Sequence, residues 1–307
     1  MISIGALSDK GEVRETNQDA CCVELAQTSI GDVVMAVVCD GVGGLDAGEY
    51  ASAVVVANFV RWFKHVLPCL IDQAQGNGTV LGASTIRESW GNLITQLNEA
   101  LLNQRDKTRM GTTFSGVIAL DGRYVVAHIG DTRIYRLSKN GTISQITEDQ
   151  TLVNSQLAEG DITLDEAVTS HVTHVIMQAI GSSDDVIPVF YSGRYRNGDL
   201  FVACSDGAWH RAGEEGIQTI FEEADWRSNE SLNDACDQLI KHDLSLGETD
   251  NLTVACFAIN DASQESNLTG GYRPTEKLAS EYNRTQDDST YIDITRVDVG
   301  SSEEGDA

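Results

Sequence analysis

Four aspartates stand where short apolar runs of the sequence begin or end: Asp40, Asp131, Asp206 and Asp250. Asp40 follows the run Val33–Cys39 and precedes a glycine-rich stretch, and Asp206 follows Leu200–Cys204. A single aspartate after a strand usually belongs to a turn. Four of them, each beside a strand, favour one shared site in which carboxylate oxygens bind hard divalent cations such as Mg²⁺ or Mn²⁺.

Other kinds of site do not fit this part of the sequence. The glycines at 41–44 suggest a dinucleotide-binding loop, but Asp46 stands where G-x-G-x-x-G requires glycine, and Asp40 would repel a pyrophosphate. The EF-hand pattern D-x-[DN]-x-[DN]-G is absent from the sequence. No group of Cys and His residues has the spacing of a zinc site.

One basic residue, Arg14, stands in the acidic N-terminal segment, between Glu12 and Glu15 and close to Asn17 and Asp19. Its local sequence fits a surface ion pair, which contributes little to stability. It equally fits a guanidinium that binds a phosphate through two parallel hydrogen bonds beside metal ions. The local residues leave both interpretations open.

Runs of β-branched residues predict the strands that carry the carboxylates. These runs are Val33–Cys39, Thr113–Leu120, Tyr124–Ile129, Leu200–Cys204 and Leu252–Ile259. Residues 121–123, Asp-Gly-Arg, predict a hairpin turn. Apolar residues at helical spacing, from Ala51 to Val66 and from Ile86 to Leu101, predict two helices. Because strands and helices do not alternate regularly, largely antiparallel sheets with outer helices are favoured, an α+β fold.

Composition excludes several classes of function. The 307 residues contain 47 Asp and Glu against 21 Lys and Arg, a net charge of −26, which would repel nucleic-acid backbones. No run approaches the roughly 18 apolar residues of a membrane span, and the N-terminus has no secretory signal pattern. Seven scattered cysteines without a C-x-x-C pair predict free, mostly buried thiols in a reducing cytoplasm, with Cys204 packed in the core. We expect a monomer.

The composition changes near residue 260, which divides the chain into a body, 1–260, and an acidic, flexible C-terminal tail, 261–307. In the tail Thr285, Thr290 and Thr295 each precede an aspartate by three positions. This spacing resembles phosphothreonine ligands of forkhead-associated domains, which predicts such a protein as a partner. The alternative is a solvated tail in which the repeats arise from composition.

Seven stretches, in order along residues 1 to about 260, resemble the metal-dependent protein phosphatases of the PPM or type 2C family, of the bacterial stand-alone kind. They are SDKGEVRETNQDA, CDGVGGLDAGEYAS, MGTTFSGVIAL, VVAHIGDTRIYRL, QITEDQTLV, VACSDGAWH and TDNLTVACF. The resemblance implies an αββα four-layer sandwich, with two antiparallel sheets flanked by helices and a two-metal centre at one end.

The resemblance also implies a role for each matching residue. The metal ligands would be Asp40, Gly41, Asp131, Asp206 and Asp250. Asp40 would bridge two Mn²⁺ or Mg²⁺ ions, Gly41 would bind one of them through its carbonyl, and Asp131 matches the position of a third, weaker metal. Arg14 would bind the phosphate, and Asp19 would orient a metal-bound water.

The implied activity is hydrolysis of phosphoserine and phosphothreonine in proteins by a hydroxide that two metal ions activate. Such an enzyme would oppose a serine/threonine kinase in a signalling pathway. Two alternatives are a catalytically weak, phosphatase-like protein that binds phosphoproteins and a phosphatase of small molecules. The presence of Asp40, Asp206 and Asp250 together favours the enzyme.

The sequence departs from the family pattern at several positions. Many relatives carry histidine within or just after D-G-x-G-G, where this chain has Val42 and Leu45. Their absence predicts that a metal-bound water protonates the leaving alkoxide, or that the rate is modest. The region around His171 and His174 resembles the flap beside the site. We expect ordinary polar flap residues there rather than metal ligands.

Overall fold

The computed structural model describes residues 1–42, 47–104, 109–168 and 175–260. The strands in these ranges are β1 (Ile2–Asp9), β2 (Asp19–Thr28), β3 (Gly31–Asp40), β4 (Phe114–Leu120), β5 (Arg123–Ile129), β6 (Arg133–Leu137), β7 (Ile143–Gln145), β8 (Val189–Arg194), β9 (Asp199–Cys204) and β10 (Leu252–Ile259). The α-helices are α1 (Gly48–Arg61), α2 (Leu67–Gly76), α3 (Ala83–Leu102), α4 (Leu152–Glu159), α5 (Leu164–Val168), α6 (Gly213–Glu222) and α7 (Asn229–Ser245).

The described strands form two antiparallel sheets, each of five strands. The first sheet has the order β1-β10-β9-β6-β7 and the second has β2-β3-β4-β5-β8. One apolar layer lies between the sheets, a second lies between the first sheet and α6 and α7, and a third lies between the second sheet and α1 to α3. The αββα sandwich that the resemblance implied is therefore confirmed.

Strand β3 shows why the predicted runs are continuously apolar. All seven residues of Val33–Cys39 are buried, because one face of the strand packs against helices and the other against the opposite sheet. Asp40 follows at the end of this strand and is only partly buried. The strand is thus fixed along its length, and its carboxylate lies at the edge of the core.

The predicted hairpin is confirmed, since β4 and β5 are joined by Asp121 and Gly122, whose φ angles are 45° and 74°. Two adjacent residues with positive φ are the signature of the tight turn that suits twisted antiparallel strands. The runs of β-branched residues did not identify β1, β2, β6, β7 and β8. In β2, for example, partly exposed polar residues such as Glu24 interrupt the apolar pattern.

The helix over Gly48–Gly76 combines α1, a π-helical turn (Trp62–Val66) and α2. It is long and apolar enough to cross a membrane by length and composition, contrary to the sequence expectation that no segment is. However, Ala51, Val55 and Trp62 are buried in the layer against the second sheet. Such burial is typical of a core helix.

All seven cysteines are free, as predicted, and four of them are buried: Cys39, Cys204, Cys236 and Cys256. The Sγ atoms of Cys236 and Cys256 lie 3.7 Å apart, which is not a bonded distance. Cys204 is completely buried on β9, so its prediction as a core thiol is confirmed. Desolvation by the surrounding protein raises the pKa of this thiol, which makes it a poor nucleophile.

Candidate metal centre

Asp19 and Asp40 lie opposite each other at one end of the second sheet, because the first residue of β2 pairs with the last residue of β3. Thr113 fixes the backbone of Asp40 from the next strand. The Asp40 N–H donates to Thr113 Oγ1 at 3.0 Å, and the Thr113 N–H donates to the Asp40 carbonyl at 2.8 Å. Two carboxyl groups that are far apart in the sequence therefore meet on rigid backbone.

Gly41 continues the chain from Asp40 into a place where no side chain fits. Its N–H donates to the Gln18 carbonyl at 3.0 Å. A Cβ atom at this position would lie 2.5 Å from the Gly48 carbonyl carbon and 2.6 Å from the Gln18 carbonyl oxygen, both backbone atoms that cannot give way. Glycine is therefore required for the close approach of α1 to the end of β3.

The first sheet contributes Asp206 and Asp250 at the same end of the sandwich. Asp206 opens a single 3₁₀ turn after β9, and Asp250 lies two residues before β10. Gly207 allows these two segments to meet, since a Cβ there would lie 2.2 Å from the Asn251 carbonyl oxygen. The end of β9 and the beginning of β10 thus place both carboxyl groups together.

Hydroxyl groups connect the carboxyl groups of the two sheets. Ser205 donates through Oγ to Asp19 Oδ2 at 2.7 Å and accepts the Thr253 N–H at 2.9 Å. The Thr253 hydroxyl, which shares a hydrogen bond with Ser8 Oγ at 2.7 Å, lowers the pKa of the Asp19 carboxyl. Ser205 and Thr253 are completely buried, so these bonds are protected from water. They fix the position of Asp19 relative to Asp206.

Asp131 follows β5 at this end and is 6% exposed. It comes directly after Gly130, whose φ of 98° favours glycine. Desolvation raises the pKa of the Asp131 carboxyl to about 8, and repulsion from Asp206 and Asp149 adds to this. The structure thus brings Asp131 near Asp206, as the sequence analysis predicted for one shared site.

The other carboxyl groups show the same electrostatic strain. Desolvation by the surrounding protein raises the pKa of Asp40 well above its usual range, and repulsion from Asp19 and Asp206 raises it further. Desolvation also raises the pKa of Asp19 to about 7, although the hydroxyls of Ser205 and Thr253 oppose this shift. The pKa of Asp206 is raised by desolvation and by Asp250. Ionising all of these carboxyl groups together is therefore unfavourable, because the surrounding residues supply too little positive charge to offset their repulsion.

Arg14 lies beside this cluster and donates through Nη2 to Asp250 Oδ2 at 2.5 Å. The Arg14 side chain is 44% exposed and that of Asp250 is 34% exposed, so the ion pair faces solvent. Asn251 holds the segment that carries Arg14: its Nδ2 donates to the carbonyls of Lys10 and Thr16, and its Oδ1 accepts the Gln18 N–H.

The donor set fits divalent cations. Its charged members are carboxylates, whose oxygens are the ligands that Mg²⁺ and Mn²⁺ prefer. The raised pKa values of Asp19, Asp40, Asp131 and Asp206 mean that added positive charge would stabilise the ionised cluster. Within the described ranges, however, no three Asp, Glu, His or Cys side chains form a ready coordination shell. The ion pair between Arg14 and Asp250 would have to rearrange for Asp250 to bind a cation.

The site is also supported by Thr113, Ser205, Asn251 and Thr253, for which the sequence alone predicted no role. The available signal was position, since Ser205 and Asn251 each adjoin a predicted ligand. Val42 is held through its N–H by the Gly111 carbonyl at 2.9 Å. Other predictions lie outside the described residues: those on Leu45, His171, His174 and the tail, 261–307.

Comparison with known proteins shows similarity to protein phosphatases over most of the chain. The family model described as protein phosphatase 2C matches residues 12–240. The chain is 30% identical over 268 residues to the protein phosphatase PhpP of Streptococcus pneumoniae, which covers 86% of this chain and 100% of that protein.

Solved structures agree in fold. The serine/threonine phosphatase of S. agalactiae has a TM-score of 0.68 and 27% identity, over 85% of this chain and 100% of that one. The catalytic domain of the serine/threonine phosphatase PstP, solved with two manganese ions, has a TM-score of 0.65 and 28% identity, over 85% of this chain and 99% of that one.

Proposed function

This chain belongs to the protein phosphatase 2C family, and we propose that its carboxylate cluster makes it a metal-dependent phosphatase of phosphoserine and phosphothreonine in proteins. The observation that carries the proposal is the meeting of Asp19, Asp40, Asp131 and Asp206 at one end of the sandwich, where burial and mutual repulsion raise their pKa values. Such a concentration of buried and partly buried carboxyl groups is costly for a fold unless cations neutralise it.

Asp40, Asp206 and Asp250, with the Gly41 carbonyl, would hold two Mn²⁺ or Mg²⁺ ions, and Asp131 would help to hold a third. Bound ions of this kind neutralise phosphoryl oxygens and lower the pKa of an attacking water. The two sheets hold these ligands on strand ends, so little reorganisation is needed when charge develops in the reaction.

Arg14 would bind the substrate phosphate. Its guanidinium already binds one carboxylate, Asp250, in an exposed ion pair. A phosphate offers the same planar fork two oxygens and more negative charge. We therefore infer that Arg14 exchanges Asp250 for the phosphoryl group, which leaves Asp250 free for a cation.

Asp19 would orient the attacking water. Ser205 holds Oδ2 of Asp19 in place, so the carboxylate is fixed where it can accept a hydrogen bond from that water. Val42 offers no proton to the leaving alkoxide, so a water molecule at the metal centre would have to supply it.

The substrates would be phosphorylated proteins. The enzyme that phosphorylates them, and that this phosphatase opposes, would be a serine/threonine kinase in the cytoplasm. The T-x-x-D repeats of the tail would bind a forkhead-associated domain when phosphorylated. Binding of a phosphothreonine tail peptide to such a domain, and not of the unphosphorylated peptide, is the test.

The activity is tested by hydrolysis of p-nitrophenyl phosphate and a phosphothreonine peptide with Mn²⁺, with Mg²⁺ and with EDTA. We expect turnover with metal and none in EDTA or in Asp206→Asn. The matched control is Asp237→Asn, which removes an exposed carboxylate paired with Lys241 on α7. A folded protein that binds the peptide without turnover under any metal would overturn the proposal in favour of a phosphoprotein-binding role.

A further inference from the structure

A cleft of about 220 Å³ lies where the edge of the second sheet meets the beginning of α3. It is lined by Ala83, Arg123, Tyr124, Ser192, Gly193 and Arg194. Arg123 opens β5, and Asp131 follows the other end of that strand, so the length of the strand alone separates the cleft from the carboxylates by roughly 20 Å at ~3.3 Å per residue. It is therefore separate from the metal centre.

Two arginines lie opposite each other in this cleft, and no acidic side chain among the described residues neutralises their positive charges. Arg123 on β5 is directly opposite Arg194 on β8, and both are exposed. Like charges at directly opposite positions destabilise an antiparallel pair. In the described ranges neither guanidinium has an acidic partner, although the chain has 47 acidic residues against 21 basic ones. An uncompensated basic pair is thus unexpected on such an acidic protein.

A third arginine approaches the same face from α3. Arg87 donates through Nη2 to Ser192 Oγ at 2.6 Å, while its Nε is buried without a hydrogen-bond partner among the described residues. Ser192 shares a strand face with Arg194, two residues further on. We call this cleft, which Arg123 and Arg194 line and Arg87 adjoins through Ser192, the arginine cleft.

We propose that the arginine cleft binds the chain's own acidic C-terminal segment, 261–307. This segment contains 11 Asp and Glu against 4 Lys and Arg, so its charge complements the cleft. Carboxylates that accept from guanidinium groups form strong, charge-assisted hydrogen bonds. Docking relieves the repulsion between Arg123 and Arg194.

The segment begins close to the cleft. The last described residue, Asn260, lines a neighbouring cleft together with Asp121 and Tyr195, which are near neighbours in the sequence of Arg123 and Arg194. A segment of 47 residues has ample length, since even ten extended residues span roughly 33 Å. The docked segment would therefore lie at the end of the sandwich opposite the metal centre, and the proposal is independent of the phosphatase activity.

The first test is limited chymotrypsin digestion of the full chain, which carries tyrosines at 272, 282 and 291. At low salt we expect the double variant Arg123→Gln/Arg194→Gln to be cut in this segment about five-fold faster or more than the wild type. The control Lys241→Gln removes one positive charge on α7 and should match the wild type. At about 0.5 M NaCl, where screening is strong, the wild type should be cut as fast as the double variant. Equal rates at low salt would overturn the proposal.

A double-mutant cycle identifies the occupant. A second variant carries Asn or Gln at every Asp and Glu from 287 to 306. Alone it should also accelerate cleavage, and combined with the arginine changes it should add little, because both remove one interaction. Additive effects would overturn the assignment.

Other occupants give distinct results. Protection that rises with protein concentration would assign the cleft to a second copy of the chain. Binding of inorganic phosphate that depends on the arginines, without a change in cleavage, would assign it to a free anion. Each of these results overturns docking of the segment within one chain. Unchanged circular dichroism and melting temperature show that the variants are folded.

Discussion

Replacement of Asn251 by alanine should separate the positioning of Arg14 from the binding of cations. Asn251 is 4% exposed and makes three hydrogen bonds to the N-terminal segment that contains Arg14. A typical intramolecular hydrogen bond contributes about 1 kcal/mol net, so Asn251→Ala weakens the attachment of this segment by about 3 kcal/mol. A factor of ten in an equilibrium constant corresponds to about 1.4 kcal/mol. The equilibrium constant for attachment of the N-terminal segment should therefore fall by at most roughly 100-fold.

The assay is steady-state hydrolysis of a phosphothreonine peptide at saturating Mn²⁺. We expect kcat/KM to fall about 10- to 100-fold, with most of the change in KM, because Arg14 binds the phosphate. The matched control is Asn233→Ala, which removes a hydrogen bond from the Ala6 N–H on β1, and which should leave kcat/KM unchanged.

A second background makes the test specific. If Asn251 acts through Arg14, then Asn251→Ala should have little further effect in a protein that already carries Arg14→Ala. If the Asn251→Ala protein keeps kcat/KM within about three-fold of the wild type, Asn251 does not position Arg14. An equal loss in both backgrounds would also show that Asn251 does not act through Arg14.

Three further predictions concern the charges at and beside the site. In EDTA, Asp40→Asn should raise the melting temperature while turnover with Mn²⁺ is lost, because the substitution removes a partly buried carboxyl group that Asp19 and Asp206 repel. A lower melting temperature would contradict this. In EDTA, stability should fall as pH rises from about 4 to about 8, since burial raises the pKa of Asp131 from 3.8 to about 8 and the folded state keeps a proton that the unfolded state has lost. Melting at several pH values, with a smaller slope in Asp131→Asn, checks this. Arg133→Lys should lower the free energy of unfolding in urea by about 1–3 kcal/mol, because it loses a bidentate pair with Asp149 and the guanidinium stacked 3.2 Å from the centroid of Trp209. An unchanged urea midpoint would show that the pair contributes nothing.

Local sequence was sufficient for the features that depend on near neighbours in the chain. The run Val33–Cys39 predicted a buried strand, and residues 121–123 predicted the hairpin, because burial and turn geometry act over a few residues. The place of Asp40 and Asp206 at strand ends followed from the same runs. Ordered motifs then identified the family and, through it, the sandwich.

The sequence did not predict the strands in which polar and apolar residues are mixed. β2 and β8 lie at the edges of the second sheet, and β1 and β7 lie at the edges of the first. Edge strands need not be apolar on both faces, so their residues resemble those of loops. Only pairing with a neighbouring strand defines them, and that pairing involves distant parts of the chain.

The sequence by itself determined which carboxylates lie at strand ends and that glycine stands at position 41. Only the tertiary structure decided which groups meet: Ser205 reaches Asp19 across 186 positions in the chain, and Asn251 reaches Lys10 across 241. It also placed Arg87, Arg123 and Arg194 on one face. Such contacts depend on how two sheets and their helices pack, which is the sum of many weak interactions and leaves no local pattern in the residues concerned.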